Sequence, residues 1–291
     1  MNVGVVGLGL IGGSIAKACL EAGWTVFGYD VKREAADITG APGIIVDKPW
    51  DEWVQYVDYV VLATPLRDIE PWVDRILAHA PRGCTIIEVA SVKHPLRSVY
   101  AKIRRPFTLL SLHPMAGKEV RGFAHSDSHL FKGRTCLVVD VLDLPPNPDV
   151  VQKWMGILGS IPVRVPLDQH DSLMSVVSHT PYLVSAAILV MARDMGSHLP
   201  LWTQVVGTGF LDVTRIGASD AGLWREILGA NSENVKDTFA QFTHLIQQWN
   251  DQIQGGEWPE VLQSTSAIRQ SLMLPDGVTC DTHPPDNINR E

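Results

Sequence analysis

Val3-Gly4-Val5-Val6-Gly7-Leu8-Gly9-Leu10-Ile11-Gly12-Gly13-Ser14 opens the chain as a short β-branched run, a glycine turn and the start of an apolar helical pattern. Within it, Gly7 to Gly12 spell GxGxxG, and the place of that motif between strand and helix decides its reading. Gly7 permits the tight turn, Gly9 lets backbone amides reach a pyrophosphate, and Gly12 allows close helix–strand packing. The turn residues Leu8, Leu10 and Ile11 complete the same candidate site. The helix N-terminus adds amides and a positive dipole end for phosphate. Asp30 ends the next β-branched run, 18 residues after Gly12, where a carboxylate accepts hydrogen bonds from ribose hydroxyls. A carboxylate there repels a 2′-phosphate, so NAD is expected over NADP, against the nearby Lys32 and Arg33.

Working outward, strands are predicted at Val3–Val6, Thr25–Tyr29, Tyr59–Ala63, Thr85–Val89, Thr108–Leu112, Thr135–Val139 and Val163–Val165. Most are apolar on both faces, as in a sheet covered on both sides. Helical patterns such as Ile11–Ala22 and Ile69–Ala80 lie between the early strands. Strand and helix in alternation imply an α/β domain of Rossmann type, a doubly wound parallel sheet over residues 1–167.

From Asp168 the strand signal ends, and residues 168–274 read as an all-α C-terminal domain broken by Pro181, Pro200 and glycine pairs. Its clearest helix is Ser232–Gln254, with Ser232 as the expected cap. Val235, Phe239, Phe242, Ile246, Trp249 and Ile253 form one apolar stripe, suited to an intradomain core or to a subunit interface. Pro275–Glu291 is proline-rich and poor in apolar residues, a solvated tail.

The 291 residues suit two domains, and 45% hydrophobic against 19% charged residues excludes disorder as the main state. A net charge of −8 argues against nucleic acid and against a polybasic membrane anchor. No run of 18 apolar residues is present, and the uncharged first 16 residues lack a basic leader and are broken by five glycines. Cys19, Cys84, Cys136 and Cys280 show no CxxC spacing and read as buried free thiols in a reducing cytoplasm; no metal is expected.

In open parallel sheets, ligands lie beyond the carboxyl ends of the strands. Polar clusters occur at such ends: Ala63-Thr64-Pro65, Glu88 to Lys93, and Ser111 to Gly117. Asp168-Gln169-His170-Asp171, Ser178-His179-Thr180-Pro181 and Gly209 to Arg215 follow in the helical half. Together GLGLIGGS (7–14), ATP (63–65), ASVK (90–93), HPMAG (113–117), SHTP (178–181) and GFLDVTRI (209–216) resemble the prephenate and arogenate dehydrogenases of tyrosine biosynthesis. The segments occur in the family's order and leave only the tail unmatched. The glycine motif has little specificity, whereas HPMAG with the later elements is highly specific.

The resemblance implies an oxidative decarboxylation in which a hydride passes to nicotinamide and the ring carboxylate leaves as carbon dioxide. It implies that His113 accepts the ring hydroxyl proton, a role suited to a neutral imidazole. Ser91 would bond the same hydroxyl or the nicotinamide, Thr64 and Pro65 would border the cofactor, and Arg215 would clamp a substrate carboxylate. His179 and Ser178 would line the substrate pocket, with Pro181 bending the helix beside them. His170 and Asp171 match the pattern in either a structural or a functional role. Where several relatives carry a further histidine three residues after His179, this chain has Tyr182, which offers a hydrogen bond without cationic charge. Prephenate bears a keto acid on its side chain and arogenate an amino acid, and both stay open as substrates.

A homodimer is expected through the helical half. No chorismate mutase segment precedes the motif, and the 17 residues after Leu274 are few for a regulatory domain. Tyrosine inhibition is therefore expected to be competitive. Two other readings fit the fold class. A β-hydroxyacid-type dehydrogenase needs a catalytic lysine in its second domain, where the only lysine is Lys236. A non-catalytic NAD sensor has no need to keep His113, Ser91 and Arg215 together.

Overall fold

The computed structural model describes residues 1–31, 42–141, 144–196 and 198–272. Lys32, Arg33, Cys280 and the expected tail lie outside the described residues. Eight strands among the described residues form one sheet in the order β3-β2-β1-β4-β5-β6-β7-β8. They are β1 (Asn2–Val6), β2 (Thr25–Tyr29), β3 (Ile44–Ile45), β4 (Tyr59–Leu62), β5 (Thr85–Glu88), β6 (Thr108–Pro114), β7 (Thr135–Asp140) and β8 (Ile161–Pro166). Helices α1 (Leu10–Glu21), α2 (Leu66–His79) and α3 (Pro148–Leu158) cover it.

Neighbouring residues on the central strands serve opposite faces. Val5, Val61 and Ile87 enter one core with Ile15, Cys19 and Trp154. Val6, Val60 and Ile86 enter the other with Ile69, Trp72 and Ile76. That division is why these strands are apolar at every position. Each such side chain contributes roughly 1.5–3 kcal/mol on burial. Cys19, Cys84 and Cys136 are free and buried, and burial pushes each thiol up to about 12.

The sheet departs from the expected all-parallel form. Strands β3 through β6 run parallel, β7 is antiparallel to β6, and β8 is parallel to β7. A parallel return needs a crossover, usually a helix. Between β6 and β7 the chain has only a short turn at Phe123–His125, so it comes back in the opposite sense. Two-residue β3 lacks enough length to give a period. β6 extends to Pro114, so His113 belongs to the strand rather than to the loop after it.

The helical half comprises α4 (Leu167–Gly196), α5 (Thr208–Thr214), α6 (Ala221–Ala230), α7 (Ser232–Gln254) and α8 (Thr265–Ser271). The expectation of no membrane-length apolar segment needs correction at α4. Its best 18-residue window has a mean hydropathy of 1.6, long and apolar enough to span a bilayer, with a third of the window buried in this chain. Scattered polar residues hid it from a search for unbroken apolar runs. Ser175–His179 within α4 forms a π turn just before Pro181. Proline has no amide for the Val177 carbonyl, and the wider turn absorbs that loss.

Helix α7 starts at Ser232 but has no side-chain cap. The cap position belongs to Asn231, whose side chain is committed elsewhere. Only Val235 of the α7 stripe is buried, at 8% exposure, whereas Ile246 and Ile253 are 41% and 43% exposed. Phe239, Phe242 and Trp249 are half-buried, so the intradomain-core reading holds fully for the first turn and only in part beyond it.

Candidate active site

Because β1, β4, β5 and β6 are adjacent and parallel, their carboxyl ends share one edge of the sheet. Gly7, Thr64, Ser91 and His113 all stand at or just after those ends. Three strand spacings separate β1 from β6, about 14 Å. The edge thus has room for an extended ligand between the glycine turn and His113.

At the β1 end the backbone requires glycine. Gly7 has φ +90°, and a Cβ there would lie 2.5 Å from the Ala63 carbonyl oxygen. A Cβ on Gly12 would lie 1.8 Å from the Gly7 carbonyl oxygen, so the helix can sit on the turn only without one. Gly9 is different: its Cβ would meet nothing within 4 Å. It caps α1 with no side chain, and the first turn of α1 carries no acidic residue. The amides there face an open cradle suited to a dianionic phosphate group. Asp30 accepts the Leu8 amide at 2.7 Å, tying the end of β2 to the turn. The Thr64 hydroxyl is buried with no partner among the described residues, and Pro65 begins α2 beside it. An open cradle and an orphaned hydroxyl fit a dinucleotide lying along this edge.

At the β6 end, His113 is half-buried, and its Nδ1 lies 2.9 Å from Nε2 of His170. Nδ1 of His170 lies 2.6 Å from Oδ1 of Asp171. Asp171 also accepts the amides of Lys93 at 2.9 Å and His94 at 2.8 Å. Burial works to raise the Asp171 carboxyl, but His170 and those amides hold it below its ordinary value. Burial drives His113 well below its usual range, and His170, Lys93 and His179 add to the effect. It is neutral at pH 7.

Beneath this row lies a buried ion pair. Lys93 Nζ donates to Glu88 Oε1 and to the Leu112 carbonyl, both at 2.7 Å. Glu88 also accepts Tyr100 Oη at 2.8 Å, the Ala90 amide at 3.0 Å and the Ser111 hydroxyl. Burial draws the Lys93 ammonium below its ordinary value, opposed by Glu88. The residue before His113 is thus anchored from behind.

The helical half supplies the remaining residues. His179 is buried, and its Nδ1 lies 3.1 Å from Asn231 Nδ2, which also donates to the Asp171 carbonyl at 2.7 Å. Burial lowers His179 to about 4, with Asp171 opposing and His170 reinforcing. Its ring meets Trp224 edge-on at 6.1 Å. Tyr182 stacks flat on the same indole at 3.9 Å, so its ring is committed to packing. Ser178 and Ser91 are half-buried. Arg215 follows α5, exposed, in an ion pair with Glu119 from the loop after β6. Arg121 and Asp220 form a second pair between the same two segments.

His113, His170, Asp171, His179 and Asn231 are therefore one connected group, and Arg215 is paired to Glu119 in the loop that follows the His113 strand. Sequence reasoning gave no part to Asn231, Glu119, Trp224 or the Glu88–Lys93 pair. Glu88 and Lys93 did stand in the strand-end cluster, but Asn231 stood in no cluster or motif.

Comparison with known proteins gives two adjoining matches. Residues 15–167 match the prephenate dehydrogenase nucleotide-binding domain, and residues 166–266 match the prephenate dehydrogenase dimerization domain. A prephenate dehydrogenase from Bacillus subtilis is 28% identical over 256 residues, covering 84% of this chain and 68% of that protein. The crystal structure of Synechocystis arogenate dehydrogenase superposes with a TM-score of 0.75 at 24% identity, covering 94% of this chain and all of that one. Prephenate dehydrogenase from A. aeolicus, solved with hydroxyphenyl propionate and NAD+, gives 0.77 at 24% identity over 93% and 96% of the two chains. The family models span both halves and meet where β8 passes into α4, and on that ground the chain belongs to the prephenate dehydrogenase family.

Proposed function

We propose that this chain binds NAD along the carboxyl edge of its sheet and oxidatively decarboxylates prephenate or arogenate, with His113 as proton acceptor. The observation that carries this reading is a neutral, half-buried His113, fixed through Nδ1, at the open end of β6. Gly7, Gly9 and Gly12 with the α1 amides would hold the pyrophosphate, Asp30 the ribose, and Thr64 and Pro65 the flank. When bound, nicotinamide supplies the hydride acceptor. His113 Nε2 takes the proton from the ring hydroxyl, and Ser91 orients that hydroxyl. Arg215 exchanges Glu119 for a substrate carboxylate, gripping it through two parallel hydrogen bonds. His179, Ser178 and Tyr182 border the ring, and the Tyr182–Trp224 stack forms an apolar wall. The domains are assigned as residues 1–167 and 168–274.

The test is NADH formation at 340 nm with each substrate and each cofactor. NAD is expected to give the higher kcat/KM, since Asp30 repels a 2′-phosphate. Preference for NADP overturns the Asp30 assignment, and no turnover of either substrate leaves a non-catalytic sensor. Arg215→Ala is expected to raise the substrate KM by at least about tenfold, the worth of a charged hydrogen bond, with the NAD KM unchanged. An unaltered substrate KM removes Arg215 from the site.

The helical half is assigned to a homodimer. Val190, Met191 and Met195 on α4 are 49%, 54% and 66% exposed, a run of large apolar residues that a second copy would cover. Light scattering is expected to give twice the 32.0 kDa chain mass; a monomer mass at working concentration refutes the assignment.

A further inference from the structure

We propose that His170 and Asp171 are a positioning pair that fixes the tautomer of His113, leaving the lone pair of its Nε2 toward the substrate. The proposal deepens the reading of His113 as proton acceptor and rests on it.

The carboxylate of Asp171 sets the hydrogen positions along the row. Asp171 receives the Lys93 amide on Oδ1 and the His94 amide on Oδ2, so it is an acceptor on both sides. Its third short partner, His170 Nδ1 at 2.6 Å, must then carry a hydrogen. A neutral imidazole protonated at Nδ1 offers only a lone pair at Nε2. That Nε2 lies 2.9 Å from His113 Nδ1, and a hydrogen bond there needs one donor. The hydrogen falls to His113 Nδ1, and Nε2 of His113 is left bare.

The relay is held from three sides. The turn after β5 grips the Asp171 carboxylate, Asn231 at the start of α7 donates to the Asp171 carbonyl at 2.7 Å, and β6 carries His113. His170 and Asp171 are 0% and 3% exposed, so water does not compete for their hydrogen bonds. The other titratable groups facing the row are Lys93, which is paired to Glu88, with His179, Tyr100 and Cys136. As the substrate hydroxyl loses its proton to Nε2, His113 becomes an imidazolium. His170 then accepts the stronger Nδ1–H bond, and the Asp171 charge offsets the cation through the ring between them. The opposite state, His170 protonated on both nitrogens, would put the His113 hydrogen on Nε2 and block its role as acceptor.

Nitrogen NMR of the full chain with ¹⁵N-labelled histidine distinguishes the two states directly. The expected spectrum at pH 7 has His113 protonated at Nδ1 and bare at Nε2. In His170→Phe the Nδ1 tautomer loses its fixed majority, and kcat falls about tenfold or more while both KM values stay within about twofold. His170→Gln, which can still accept from His113 Nδ1, is expected to recover part of that loss. A wild-type spectrum with hydrogen on Nε2 overturns the proposal even where a variant does not fold. So does a folded His170→Phe with wild-type kcat, provided His113→Asn is inactive. An active His113→Asn instead removes the proton-acceptor reading itself, whatever tautomer the spectrum gives.

Discussion

Asparagine in place of His113 is expected to lower kcat by at least about 100-fold, within the roughly 10²–10⁴ range for loss of a general base. Asparagine keeps a donor that can reach His170 but has no basic nitrogen at the position of Nε2. Substrate and NAD binding should change little, so the loss belongs in kcat rather than in KM. The pH profile adds a second check. Burial, with His170, Lys93 and His179 close by, sets the His113 pKa well below 6.5. Its neutral form is the working form and persists as pH falls below the ordinary histidine value. The wild-type kcat/KM is therefore expected to stay level from pH 7 to below 6.5, dropping only in more acid solution. An acid limb centred at 6.5 or above contradicts this environment for His113. Retention of more than a tenth of kcat in His113→Asn contradicts the assignment of the base.

Lys93→Met is expected to lower the unfolding free energy by about 3–5 kcal/mol, because it strands the Glu88 carboxylate in the interior without its cation. Glu88 and Lys93 side chains are 1% and 0% exposed, at 2.7 Å, so water cannot take the place of the ammonium. Against a total stability of roughly 5–15 kcal/mol this is a large fraction. The melting temperature should drop by roughly 6–20 °C for a domain of this size. Removing both charges in Lys93→Met with Glu88→Leu should recover much of the loss, since the uncompensated carboxylate is then gone. A single variant melting within about 2 °C of wild type would show that the pair adds little. The same lysine holds the Leu112 carbonyl beside His113, so a folded variant should also lose activity.

The nucleotide half was legible because its signals are local. A GxGxxG turn between strand and helix, and strands apolar on both faces, need only a few adjacent residues each. The direction of β7 was not legible, since period and apolarity are the same for a strand run either way. What distinguishes β7 is the missing crossover helix before it, a property of the loop. At the site, His113, His179 and Arg215 stood in recognisable segments, but the bonds among residues did not. His170 and Asp171 in the first turn of a helix look like ordinary polar residues until the turn after β5 delivers two amides to the carboxylate. The expected cap was Ser232, whereas its neighbour Asn231 bridges Asp171 and His179. Tyr182 invited a reading as a substrate hydrogen-bond donor, while its ring is spent on Trp224.

The π turn at Ser175–His179 has an angular meaning. His170 and His179 are nine positions apart, and at 3.6 residues per turn that spacing places two side chains about 180° apart, back to back. A π turn takes in one residue more than an α turn, so it withdraws one step of about 100° from the winding. The two imidazoles are left about 80° apart and can address one crevice. The segment thus carries one surplus residue between its histidines, and the wide turn keeps them in phase.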